Sequence, residues 1–154
     1  MSVQGSHNPI SGMTTYHGVP FAKAPVGELR WRPAERPTPW NTTKKTTSHG
    51  AICPQLDLIK GLMFGKEDCL YLSLWVPPAC SAKPCPVMQW IYGAPPSMLR
   101  CASTASEPLF SCAGGGWILG DNRAFDGEEL AQRHGVVVIA ANCEPAHVLP
   151  QPRV

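Results

Sequence analysis

The residues best suited to chemistry here are glycines. Gly114-Gly115-Gly116 precedes Trp117, and Gly93 follows Trp90-Ile91-Tyr92. Neighbouring glycines let a chain approach a substrate closely and aim backbone N–H groups at one oxygen. That equipment suits acyl transfer, where the carbonyl oxygen becomes negative in the tetrahedral intermediate. The same reaction needs a nucleophile with a base beside it. In a strand-to-helix elbow the nucleophile is a serine in Gly-x-Ser-x-Gly, and no serine in this sequence has glycines at that spacing. Ser97, Ser103, Ser106 and Ser111 have no flanking glycines. His134 and His147 are the histidines to weigh as bases. His134 ends a helical pattern, where a cation is favoured anyway, and His147 lies in patternless chain. Neither has a nucleophile to serve, so both read as solvated histidines and no catalytic residue is assigned.

Other side chains bear on compartment and partners. Seven cysteines is an odd count, so at least one thiol stays unpaired in a monomer. Cys80 and Cys85 flank Ser81 to Pro84, a spacing open to a small disulfide loop or half of a metal site. No second cysteine or histidine pair stands at zinc spacing, so no metal is expected, and no cofactor is implied. Asn41-Thr42-Thr43 is an N-glycosylation sequon, usable only in the secretory pathway. The cysteine density leans toward such an oxidising location. The polar start, Met1 to Ile10, lacks a signal-peptide layout, which leaves the compartment open. A net charge of +2 gives no reason to expect nucleic acid. No apolar run approaches the ~20 residues of a membrane span. The oligomeric state is open.

The elements that would position the glycines follow from apolar runs and breakers. Seventeen prolines in 154 residues imply much loop and turn. Gly18 to Trp40, punctuated by five of them, reads as extended connection with short strands. Leu70 to Val76 is a strand stopped by Pro77-Pro78. Pro86 to Tyr92 is a second strand, running into Gly93. Asp126 to His134 is a short helix, with Asp126 as cap, acidic residues in its first turn and Gly135 as its stop. Val136 to Ala141 is a third strand, apolar without alternation, as expected where both faces are covered. Strand, helix, strand is the order of a parallel sheet with crossover helices, so the fold class is α/β. Residues 94–114 and 144–154 carry no period and read as irregular. With three or four strands in all, the outer edge of Val136 to Ala141 would be unpaired and prone to aggregation.

Several segments together resemble one family. Glu67 to Pro77 (EDCLYLSLWVP) resembles the second signature of type-B carboxylesterases. Tyr16 to Trp31 is similar to the family's early G-I-P-Y-A…P-V-G-x-L-R-F segment, and Pro39-Trp40 to the Pro-Trp that follows it. Ala51 to Gln55 resembles its C-P-Q segment. Trp90 to Gly93 resembles the strand leading into the oxyanion loop. Phe125-Asp126-Gly127, Leu130-Ala131 and Val136 to Asn142 are similar to the Y-D-G…L-A…V-V-V-x-x-N-Y segment. Deleting Ala94 to Gly114 restores an uninterrupted family motif, so that stretch reads as an insert, and 144–154 as a foreign tail on a carboxylesterase portion covering 1–143. Both foreign stretches start inside a family motif, the pattern retained introns would leave.

The resemblance implies an N-terminal portion of the α/β-hydrolase fold, with the first half of the sheet and no nucleophile elbow. It implies a disulfide between Cys53 and Cys69, and Gly93, Gly115 and Gly116 as candidate oxyanion-hole donors. The insert would separate Gly115 and Gly116 from the strand that should aim them. The family's serine, acid and histidine all follow the oxyanion loop, and none is present. The expected function is therefore that of a carboxylic ester hydrolase portion, inactive as written, with ester substrates relevant only to a full-length relative. The alternative is a non-catalytic cholinesterase-like binding or adhesion module. No tryptophan lies between Cys53 and Cys69, where cholinesterases hold a quaternary ammonium by cation–π contact, so no choline-ester preference is implied.

Overall fold

The computed structural model describes residues 1–57, 60–80, 83–94, 102–103, 109–115 and 120–142. The first strand candidate forms as β7 (Tyr71–Val76), the second as β8 (Val87–Ala94) and the third as β11 (Val137–Ala141). The chain before them contributes β1 (Ser2–Gln4), β2 (Ser6–His7), β3 (Thr14–Pro20), β4 (Thr43–Lys45), β5 (Gln55–Asp57) and β6 (Leu62–Phe64). A single-turn 3-10 helix at Gly27–Leu29 interrupts the proline-rich connection.

The main sheet has seven strands in the order β2-β3-β7-β11-β8-β10-β9, where β9 is Ala102–Ser103 and β10 is Leu109–Gly115. β7 pairs antiparallel with β3 on one side and with β11 on the other, while β11, β8 and β10 are mutually parallel. Two small sheets sit apart from it: β1 with β4, parallel, and the hairpin of β5 with β6.

Two expectations are corrected. The first is the irregular insert at 94–114. Ala94 ends β8, and residues 102–103 and 109–115 are strands. No local period announces β10, because its pairing comes from the open side of β8, whose N–H and C=O groups need partners. The second is the unpaired edge at 136–141. β11 pairs with β7 on one side and β8 on the other, so it is an inner strand. Sequence reading took its neighbour to be missing, whereas chain order alternates across this sheet and β7 already fills the place. Among the described residues the sheet's edges are the two-residue strands β2 and β9, too short to template another chain. The tail 144–154 lies outside the described residues.

The single α-helix among the described residues, α1 (Glu128–His134), connects β8 and β10 to β11 and packs on β11 and β7. Its start follows from Asp126, whose Oδ1 accepts the Glu128 N–H at 3.0 Å, although Gly127 is the first residue flanking the helix. Glu128 and Glu129 favour the positive N-terminal end. Gly135 ends it in the left-handed region at φ 63°, its N–H reaching Ala131 O at 3.0 Å.

Ala131 faces the sheet and is fully buried against Met13, Trp75, Val138 and Ala140. Burial along β11 alternates, with Val138 and Ala140 inside and Val137 and Ile139 half-covered, so its two faces are not equally sealed. An aromatic column crosses this core: Trp90 stacks on Phe125 at 4.4 Å, and Phe125 meets the edge of Trp75 at 6.0 Å. A second buried cluster joins Ala22, Cys53, Cys69 and Leu70. At its centre Cys53 and Cys69 form a disulfide.

Candidate functional site

In a sheet with parallel strands, ligands bind beyond the carboxyl ends of those strands. Here those ends are Ala94, Gly115 and Ala141 of β8, β10 and β11. The register pairs Gly114 with Tyr92 and Gly115 with Ala94, with an irregularity between Gly114 and Gly115. Gly115 ends β10 opposite Ala94, and Gly93, one residue before the end of β8, falls at the register shift, so the two glycines lie on adjacent strands at one end of the sheet and are not successive residues of one loop. Gly116 lies outside the described residues.

The chain that returns from the glycine cluster toward α1 is described from Gly120 onward, and side-chain amides hold it. Gln55 clamps Gly120 from both sides: its Nε2 donates to Gly120 O at 3.1 Å, and its Oε1 accepts the Gly120 N–H at 3.0 Å. Asn142, buried just past β11, accepts the Asn122 N–H at 3.0 Å. The same Asn142 donates through Nδ2 to Ala51 O at 3.0 Å and Cys69 O at 2.8 Å. Asn122, also buried, donates through Nδ2 to Tyr71 O at 3.3 Å and Ser73 Oγ at 3.4 Å, while its Oδ1 has no partner. Asp121 closes a turn by accepting the Arg123 and Ala124 N–H groups. One buried amide thus ties the sheet end, the disulfide loop and the return segment together.

Sequence reading missed this set. Gln55 and Asn142 stand inside segments matched to the family, so the positions were visible. Their roles were not, because their contacts span 65, 20, 91 and 73 residues and leave no local spacing.

It also missed a serine beside two imidazoles. Ser73 Oγ lies 3.2 Å from His17 Nδ1 and 3.3 Å from His49 Nδ1. The atoms are those of a Ser-His pair, yet Ser73 is fully buried in mid-strand and offers no approach to a substrate carbonyl. Burial first, then the neighbouring His49, holds His17 below the usual histidine value, against the pull of Asp126. Burial and then Arg123 do the same for His49, against Asp121. An open depression of about 340 Å³, which none of Ser73, His17 and His49 lines, is bounded in part by Lys23, Trp40, Lys44, Asp68 and Tyr71. Burial, then the hydrogen bond to Asp68 at 2.9 Å, pushes the Tyr71 phenol up to about 12.

The remaining sequence candidates are placed as follows. Cys80 and Cys85 are joined in a disulfide, which resolves the open alternative and leaves neither as a thiolate ligand. His134 is exposed at the last residue of α1, and His147 lies outside the described residues. Asn41 is exposed at a bend before β4, next to Trp40, whose indole N–H donates to Ser2 O at 2.8 Å. Among the described residues no helix is long and apolar enough to cross a membrane.

A mixed sheet with a parallel half, one crossover helix and glycines at the carboxyl ends defines a partial α/β-hydrolase fold. Residues 2–143 match the carboxylesterase family model, and the chain belongs to the carboxylesterase family. It is 32% identical over 137 residues to para-nitrobenzyl esterase of Bacillus subtilis (strain 168), covering 86% of this chain and 24% of that protein. It is 36% identical over 146 residues to bile salt-activated lipase of Bos taurus, covering 91% and 22%. Among solved structures it is similar to a thermophilic pNB esterase, with TM-score 0.68, 29% identity, and 95% and 27% of the two chains covered. A Geobacillus stearothermophilus carboxylesterase matches with TM-score 0.66 and 31% identity, over 91% and 24% of the chains. The chain spans about a quarter of the length of the relatives it matches.

Proposed function

We propose that this chain supplies the first strands and the oxyanion side of a serine carboxylic-ester hydrolase, and that the chain by itself turns over no ester. The observation that carries the reading is the pairing of family membership over residues 2–143 with a sequence in which no serine stands in Gly-x-Ser-x-Gly. The oxyanion donors in this reading are the backbone N–H groups of Gly93, Gly115 and Gly116. What supports them is the register that pairs Gly115 with Ala94, the residue after Gly93, at the carboxyl ends of β8 and β10. Ester substrates follow from relatives named as an esterase and a lipase. The Ser-His contacts that Ser73 makes with His17 and His49 are sealed from solvent at the serine. The test is turnover of short-chain p-nitrophenyl esters by the purified chain. A rate equal to buffer is expected, and a saturable rate above buffer would overturn the reading.

A second reading, a non-catalytic cholinesterase-like binding or adhesion module, draws on the β5–β6 hairpin. Its Leu62, Met63 and Phe64 are 64%, 67% and 42% exposed, and consecutive apolar side chains in water mark contact surfaces. For either reading, the two disulfides suit an oxidising compartment. There the exposed Asn41 becomes an acceptor for an N-linked glycan.

A further inference from the structure

His17 comes from β3, Ser73 from β7, His49 from the loop before Cys53, and Asn122 from the return segment before α1. Three of these meet on one oxygen: His17 Nδ1 at 3.2 Å, His49 Nδ1 at 3.3 Å and Asn122 Nδ2 at 3.4 Å from Ser73 Oγ. The two imidazoles stack face to face with centroids 4.0 Å apart, and His17 turns its edge to Trp75 at 5.7 Å. A serine hydroxyl has one proton to give and two lone pairs. Asn122 is a fixed donor and takes one lone pair. Satisfying the rest requires Ser73 to donate to one imidazole and to accept N–H from the other. One ring must therefore carry a proton on Nδ1 and the other a bare Nδ1, and with both rings neutral these are opposite tautomers.

We infer that His17, His49 and Ser73 form a proton-sensitive latch, which ties β3 and β7 to the return segment at neutral pH and releases it when both rings are protonated. The release follows from hydrogen-bond accounting. A protonated imidazole donates from both nitrogens. One proton on the pair is tolerated, because the ring that already donates can carry it; with both rings protonated, Ser73 would face three donors, with no acceptor for its own proton. Double protonation adds two stacked cations. The charged groups that face the pair are Asp126 toward His17, and Asp121 and Arg123 toward His49. Asp121 is held by Arg123 at 3.4 Å, and Asp126 by the Glu128 N–H, so neither carboxylate is free to turn fully to a ring. Burial is the first cause lowering both rings. A base whose folded value lies below its unfolded value binds its proton first in the unfolded chain, so stability is present at pH 7.5 and falls as pH drops through about 6.5. His49 is exposed while His17 is half-buried, so the effect is modest in size and Asn122 is the segment it frees first.

The test uses the full oxidised chain with labelled histidine. At pH 7.5, ring nitrogen and carbon shifts should report one Nδ1–H and one Nε2–H tautomer among His17 and His49, and two rings of the same tautomer would overturn the latch. Denaturant titrations at pH 7.5 and 5.0 then compare the wild type with His17→Asn/His49→Asn, in which an amide replaces each Nδ1 and nothing titrates. The folded-to-unfolded ratio of the wild type should fall roughly three- to ten-fold further than that of the variant. Protection of the Asn122 to Phe125 amides, taken relative to intrinsic exchange at the same pH, should fall at pH 5.0 in the wild type only. Parallel pH dependences would overturn the proposal, as would a wild type with no cooperative transition at pH 7.5. If the double variant does not fold, Ser73→Ala replaces it. Its rings should lose the tautomer pairing, and retention of the pairing would count against the latch.

Discussion

At the scale of single residues, Asn142 does the most to hold the site's frame. It satisfies two carbonyls and one N–H from three separate segments. Asn142→Ala leaves the Ala51 carbonyl and the Asn122 N–H without this partner, and Cys69 O with the Tyr71 N–H alone, at about 2–4 kcal/mol of stability. A denaturant midpoint shifted by less than about a quarter of that would show that water or neighbours replace the amide. Asn41 is a second residue-scale case. When the chain is expressed through a secretory pathway, intact mass should show one N-glycan that endoglycosidase removes and Asn41→Gln abolishes, and a wild type of unmodified mass would reject the site. The pair legible in advance was Cys53 with Cys69, whose chemical type is its signal and which the structure joins. Asn142, Gln55 and Ser73 were not, because an amide or hydroxyl has no distinguishing pattern until distant chain is folded against it.

At the scale of elements, β7, β8, α1 and β11 were readable because each carries its own apolar run and its own stop, and the observed bounds differ by a residue or two. β10 was not readable. Its residues (LFSCAGG) have weak strand character, and β8's unpaired edge supplies the reason to extend. The pairing of β11 was misread for a related reason: sequence order says which strands exist, while their neighbours are set by the crossover through α1. That crossover depends on Gly127. A Cβ there would stand 2.7 Å from Val138 Cγ1 and 2.8 Å from Trp75 Cε3. Gly127→Ala should cost about 1–3 kcal/mol, as overpacking does, and a neutral result would mean that α1 can lift from the sheet without loss. By contrast the exposed Glu129–Arg133 pair on α1, at 2.6 Å, is of the kind that contributes only a few tenths of a kcal/mol.

At the scale of the whole molecule, the described core is small, and its two buried clusters are held in different ways. The aromatic column with Met13 and Ala131 is packed by α1 on the sheet. The cluster around Leu70 is stapled by Cys53–Cys69. Closing a loop with a sequence separation of 16 restrains the unfolded chain by ~3 kcal/mol in the entropy model. Cys53→Ala/Cys69→Ala should therefore lower the unfolding midpoint markedly, and an unchanged midpoint would mean that the loop is already ordered by packing alone. At this scale the fold class and the half-sheet were legible from matched segments, since their order along the chain mirrors the order of the family's early strands. The central claim is that this chain carries a carboxylesterase frame without a reactive serine. Intact-mass analysis after exposure to an excess of an organophosphonate probe tests it most directly. The account predicts an unshifted mass for the folded, oxidised chain. Stoichiometric addition of one phosphonyl group mapped to any serine, Ser73 included, would contradict it.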